Sequence, residues 1–449
     1  MWVTLASTTT VGAVLAAASA AVALAVLCMI IHRRPQAFPL LAVASLPFRL
    51  PISAEGRTVN LLIPLYLVVA AGTLVLLVPR ILRRQEPAPR GLEWLLAATV
   101  ALYALQTAYS ADAAKAAENL AFFYVPFALL YVLLRDVRWT RGLLLGCLAV
   151  AAGIAVVLAG VGFIEYGRKE LFLNPKVVAA NQYDNYFRVN SLFFDPNVYG
   201  RFLALVMVAV TAIVLWARRR EDVLACAALL AWLLAGLVTS FSQSSIAALL
   251  LGLAVLAAWR WGTRPTVYWV GALVALAIAV ALAAPASLHF GLKGSGGSTS
   301  NATSGRSKLI SGGLELFAKR PLWGYGSGSF ETEYKRQRRT SAQNATSASH
   351  TIPVTVAAEQ GLIGLALYVA LVVAAVRLLF KDAGRSPPRM AVAACFAALL
   401  LHTWTYADFL EDPMTWALLG IGVALARGNI GEVAPARTAA REPAGAGAG

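Results

Sequence analysis

Apolar stretches of about 20 residues recur along this chain, separated by short turns rich in arginine. A bilayer core of ~30 Å asks for that length in a helix. The pattern therefore predicts an all-α polytopic membrane protein. Its predicted spans cover residues 8–31, 37–52, 60–79, 92–109, 117–134, 142–163, 198–217, 222–239, 244–261, 266–286, 352–376, 390–407 and 413–427. The total is twelve or thirteen, because Pro47 and Pro51 interrupt the stretch at 37–52. Alternating strand patterns of ~10 residues, the mark of an outer-membrane barrel, are absent.

The polar positions set the topology. Arg33 and Arg34, Arg80 to Arg84, Arg135 to Arg141, Arg218 to Arg220, Arg260 with Arg264, and Arg377 to Arg389 all fall in short turns on one side. By the positive-inside rule that side is cytoplasmic. Two long segments, 165–197 and 287–350, are then external, and the C-terminus is inside. Residues 1–286 thus form a first set of spans, 287–351 a large external loop, and 352–427 a C-terminal set. The Ala/Gly/Pro-rich tail at 428–449 has too little apolar surface to fold and is expected to be disordered. Residues 1–31 lack the charged start and cleavage site of a signal peptide and are expected to supply the first span. No internal repeat is visible, which counts against a repeat-built transporter.

The large loop has a pattern of its own. Ile310, Leu314 and Phe317 recur at helical spacing between Arg306 and Lys319, which predicts an amphipathic helix on the outer face of the membrane. Pro321 and the glycines of Leu322-Trp-Gly-Tyr-Gly-Ser-Gly328 end it. A second short helix is predicted from Ser329, with Glu331 and Glu333 in its first turn and Lys335 to Arg339 in its last, as the helix dipole favours.

Composition agrees with the hydropathy pattern. The chain is 59% hydrophobic and 13% charged, against about 25% charge in soluble domains. Its formal charge of +16 would suit a nucleic-acid partner, but the basic residues in the short turns are explained by topology. Cys28, Cys147, Cys226 and Cys395 lie inside apolar runs without metal-type spacing.

What topology leaves unexplained is positive charge outside. Residues 287–350 hold nine Lys or Arg against three Glu. Arg188 and Arg201 flank Asp195-Pro196-Asn197, and Arg306 and Lys308 open the amphipathic helix. Arginine suits phosphate because its planar fork donates two parallel hydrogen bonds; for any one of these residues, snorkelling to the interface is the competing reading. His350 precedes Thr351-Ile352-Pro353, a helix start. The helix dipole and the nearby cations would keep its imidazole neutral and able to accept a proton. His402 is expected to be a buried hydrogen-bonding residue. Ala357, Gly361 and Gly364 would allow close packing beside His350. Thr239–Ser245 forms a polar break that lines the site or simply turns the chain. Glu359 is the main charge expected inside a span, as a transporter would need. Paired acidic and phosphate-cradling motifs are absent, so arginine would have to stabilise any phosphate charge.

Three segments together resemble the O-antigen ligase and Wzy-type polymerase superfamily. They are Arg188-Val-Asn-Ser-Leu-Phe-Phe-Asp-Pro-Asn-Val-Tyr-Gly200; Gly305-Arg306 leading to Pro321-Leu-Trp-Gly-Tyr-Gly-Ser-Gly328; and His350-Thr351 followed by Gly361-Leu-Ile-Gly364. Thr351 and Gln243 depart from the residues common in ligases, and Phe193 replaces a small residue. The resemblance implies a GT-C-type, metal-independent, inverting glycosyltransferase of the bacterial inner membrane, its site facing the periplasm and needing no cofactor. Its donor would be a glycan on undecaprenyl pyrophosphate and its acceptor a sugar hydroxyl of lipid A–core. His350 would be the general base, and Arg188 and Arg306 would bind the pyrophosphate. Arg201, Lys308 and Arg339 are further phosphate candidates, and Asn197 and Gln243 would line the site. A polymerase using the same donor is the nearest alternative, and an anion or lipid-phosphate transporter the alternative from another class.

Overall fold

A computed structural model describes residues 10–54, 57–84, 89–172, 187–283, 298–338 and 351–428. In chain order it holds α1 (Thr10–Arg33), α2 (Ala37–Ser45), β1 (Leu50–Ala54), β2 (Arg57–Leu61), α3 (Ile63–Leu82), α4 (Gly91–Thr107), α5 (Ala113–Arg135) and α6 (Arg141–Arg168). There follow α7 (Pro196–Trp216), α8 (Arg220–Thr239), α9 (Gln243–Trp261), α10 (Thr263–Ala283), α11 (Ser298–Lys319), α12 (Phe330–Arg338), α13 (Ile352–Phe380), α14 (Pro387–Thr405) and α15 (Pro413–Ala426). Among the described residues eight helices are long and apolar enough to cross a membrane: α1, α3, α5, α6, α7, α8, α9 and α13. The apolar α15 is shorter, and α4, α10 and α14 pack in the same bundle. The protein is a polytopic helical membrane protein.

The stretch at 37–52, counted as a possible span from its sequence, is not one. Its helix α2 has nine residues, or roughly 14 Å at 1.5 Å per residue, about half a bilayer core. After Pro47 the chain turns into an antiparallel hairpin in which Leu50 pairs with Leu61 and Ile52 with Val59. Prolines shape two long helices as well. In α3 and α5 a π-helical turn, Thr73–Leu77 and Leu120–Tyr124, comes just before Val78-Pro79 and Val125-Pro126. Proline lacks an N–H and crowds the carbonyl four residues back, and a wider turn relieves both.

Helix α7 lies at the centre. Most of its side chains are buried against α8, α9 and α14. At one end of the bundle Arg80, Arg135 and Arg427 join an ion-pair network that ties four helices. Arg135 Nη1 donates to Glu93 Oε1 at 2.9 Å, Arg427 Nη2 to the same oxygen at 2.8 Å, and Arg80 Nη1 to Asp136 Oδ2 at 2.9 Å. These carboxylates keep the guanidinium groups paired where water is scarce.

Candidate active site

The opposite end of the bundle is also polar. Residues 187–195 approach α7 in an extended-to-turn path held by backbone contacts: Val189 N donates to the Thr239 carbonyl at 3.2 Å and Ser191 N to Glu165 Oε2 at 2.8 Å. Asp195 then caps α7 by accepting from Asn197 N at 2.6 Å, with Pro196 in the first turn. Aspartate followed by proline is a strong helix start. Arg188 is fixed above this turn. Its Nε donates to the Ser240 carbonyl at 3.2 Å and its Nη2 to Asn197 Oδ1 at 3.4 Å.

The polar break between α8 and α9 joins the same cluster. Ser242 caps α9 and donates to Asn197 Oδ1 at 2.9 Å. Ser242 Oγ lies 2.7 Å from Ser245 Oγ, which in turn lies 3.1 Å from His402 Nε2. His402 is fully buried, so it is the hydrogen-bonding residue expected from its place in an apolar run. Gly200 makes this possible: a Cβ there would lie 2.7 Å from Ser245 Oγ. Gln243, at the first turn of α9, is exposed.

Arg201 is placed differently from the headgroup-level position expected of it. Its side chain is 1% exposed and its Nη2 lies 2.8 Å from Asp412 Oδ2, with Asp408 Oδ2 at 3.9 Å. Asp412 also caps α15 by accepting from Met414 N at 2.8 Å. Beside it, burial pushes the Glu411 carboxyl up to about 8; Asp408 and Glu359 push the same way, while Lys115 and Arg49 oppose. Glu411 Oε1 accepts from Asn119 Nδ2 at 3.0 Å.

The external loop docks on a break in α13. Gly361 has φ 66° and ψ −162°, which separates residues 352–360 from the rest of the helix. The small residues around it were expected to line one face of a continuous helix; the break replaces that face with a backbone junction. Leu362 N donates to the Pro321 carbonyl at 2.7 Å, and Gly326 N to the Glu359 carbonyl at 2.8 Å. A Cβ on Gly361 would meet the Leu322 carbonyl oxygen at 2.3 Å, and one on Gly324 the Glu359 carbonyl oxygen at 2.2 Å. Glycine is needed at both for its positive φ and for this close approach. The Glu359 side chain, buried, accepts from Gly328 N at 2.9 Å and Phe330 N at 3.0 Å and so holds the start of α12. Its charge serves the loop backbone.

The amphipathic helix predicted from Arg306 is the C-terminal part of α11, with Leu309 and Leu316 buried against Phe330 and Ala358. Helix α12 follows, with Glu331 and Glu333 in its first turn and Lys335, Arg336 and Arg338 in its last, as its sequence predicted. Lys308 is exposed. Arg306 falls where only the backbone of α11 is described, and Arg339 and His350 lie outside the described residues. The structure thus brings together Arg188, Asn197 and the α8–α9 turn, and commits Arg201 to an aspartate.

Sequence reasoning missed Glu165, Asn119, Glu411, Asp412 and the anchoring role of Glu359. The signal was present: acidic residues inside or beside apolar runs are costly and call for a partner. Their partners lie far away in the chain, so spacing alone does not reveal them.

Residues 227–369 match a family model described as O-antigen ligase. The match spans α8, α9, the external loop and the break at Gly361, and it includes Arg306 and His350. No curated protein matches the chain.

Proposed function

We propose, from the premise that this chain carries the O-antigen ligase domain of the O-antigen ligase and Wzy-type superfamily, that it moves a glycan from a polyprenyl diphosphate to a sugar hydroxyl of lipid A–core. The observation that carries this reading is the fixed guanidinium of Arg188. It sits at the end of the bundle away from the basic turns, against Asn197 and the Ser240 carbonyl of the matched segment. A planar fork held there suits the diphosphate of a lipid-linked donor entering from the membrane.

In this reading the acceptor oxygen attacks the anomeric carbon as the bond from that carbon to the diphosphate oxygen breaks, with inversion. The acceptor proton passes to the neutral imidazole of His350. Negative charge growing on the leaving diphosphate is taken up by Arg188 and Arg306, with Lys308 and Arg339 as further cations in the external loop. Positioning supplies much of the rate, because donor and acceptor are both confined to the membrane surface. The site faces the periplasm of the inner membrane; the arginine-rich short turns, read as cytoplasmic by the positive-inside rule, support this reading.

Polymerisation of one lipid-linked glycan onto another uses the same donor and the same groups. The two are separated by supplying purified protein with lipid-linked glycan, with and without lipid A–core. The ligase reading expects product only when the core is present. Elongated lipid-linked glycan formed without it would replace that reading with the polymerase.

A further inference from the structure

We infer that Arg49, on the turn between α2 and the hairpin, is a further diphosphate-binding arginine beside the Phe194–Asn197 turn, in addition to Arg188 and Arg306; this rests on the diphosphate donor proposed above. Nothing in the local sequence singles Arg49 out. It follows a nine-residue helix and precedes a strand, in a stretch that reads as a broken span. The fold carries it to the polar end. Its guanidinium carbon lies 4.9 Å from the centroid of the Phe194 ring. Three residues further on, Asn197 holds Nη2 of Arg188. The two guanidinium groups, from separate elements, thus contact residues three apart at one helix start.

A counter-ion role for Arg49 would need a carboxylate in contact with it. Among the described residues none lies within ion-pairing distance of it, although its charge reaches Glu411 and Asp412. The neighbouring acids are already engaged. Asp412 and Asp408 face Arg201 at 2.8 Å and 3.9 Å. Glu411 accepts from Asn119, and with its carboxyl raised to about 8 it is largely protonated at neutral pH.

Stacking adds a second argument. A guanidinium over an aromatic face uses its π surface, which leaves the in-plane N–H groups to donate outward. Arg49 is half-buried and Phe194 is half-buried, so the pair is held by packing yet open on one side. A diphosphate carries more charge than one arginine offsets, and Arg201 is paired with Asp412. Arg49 adds a positive charge and outward N–H donors to those of Arg188 and Arg306.

The test measures binding of geranylgeranyl diphosphate and geranylgeranyl monophosphate to the full-length protein in nanodiscs. Wild type should prefer the diphosphate. Arg49→Ala should lose roughly tenfold or more in diphosphate affinity, the worth of a charge-assisted hydrogen bond, and change monophosphate affinity less. Arg188→Ala should weaken both ligands. Should Arg49→Ala not fold, Arg49→Lys keeps the charge and stem, and the loss of the fork should still cost several-fold for the diphosphate. Unchanged diphosphate affinity in the folded Arg49 variant, with Arg188→Ala impaired, overturns the role of Arg49 and leaves the proposed function standing. Unchanged affinity in the Arg188 variant as well overturns the diphosphate reading itself.

Discussion

Arg201 and Asp412 are 211 residues apart in the chain and form an ion pair of 2.8 Å with both side chains 1% exposed. The pair joins the first turns of the central helix α7 to the start of α15. It commits one of the arginines read as external to a partner within the protein. A charge so deeply buried requires its partner, since desolvation is repaid only by close pairing. Asp412→Ala leaves the guanidinium uncompensated and removes the cap of α15. The expected loss is about 3–5 kcal/mol, seen as a lower midpoint of thermal unfolding in detergent. An unchanged midpoint would show that the pair contributes nothing.

Glu359 makes a different kind of contact. Its two carboxylate oxygens accept from Gly328 N and Phe330 N, so a carboxylate satisfies two donors that an amide cannot. In Glu359→Gln one oxygen remains, and the new NH2 faces a backbone N–H. Losing one charge-assisted bond and gaining a donor–donor clash costs about 1–3 kcal/mol. The loss falls on the seating of 321–330 over the break at Gly361. Limited proteolysis should cut this loop faster in the variant while the helices stay resistant; equal rates would remove Glu359 as its anchor.

Glu411 gives a pH dependence with a definite sign. Burial raises its folded-state value from the ordinary 4.5 to about 8. The folded protein therefore binds a proton that the unfolded chain has released between those values. Stability linked to this group is fully present below pH ~4.5 and is lost as pH rises through about 8. Thermal unfolding in detergent from pH 5 to 9 should show a midpoint falling with pH. Glu411→Gln, which keeps the acceptor for Asn119 but cannot ionise, should flatten that slope. A slope unchanged in the variant would assign the effect elsewhere.

The sequence made some of this legible for local reasons. Pro196, Pro353 and Pro413 mark helix starts because proline fits the first turn, and α11 and α12 follow from helical spacing and from charges placed to suit the dipole. What stayed hidden is non-local. The break at Gly361 exists because the 322–326 backbone lies against it, and no pattern within α13 announces that visitor. Arg201 reads like Arg188 in sequence, and only the distant Asp412 shows that its guanidinium is committed to an ion pair. The hairpin after α2 was masked by an apolar composition that suits a half-length helix and a strand as well as a span.

The central claim is that an external histidine activates the acceptor while arginines hold the diphosphate, and His350→Ala tests it most directly. Transfer of a lipid-linked glycan to lipid A–core is followed with purified protein, alongside donor affinity. The account predicts that transfer falls by about a hundredfold or more, the worth of a general base, while donor affinity stays close to wild type. A normal transfer rate in this variant would contradict it.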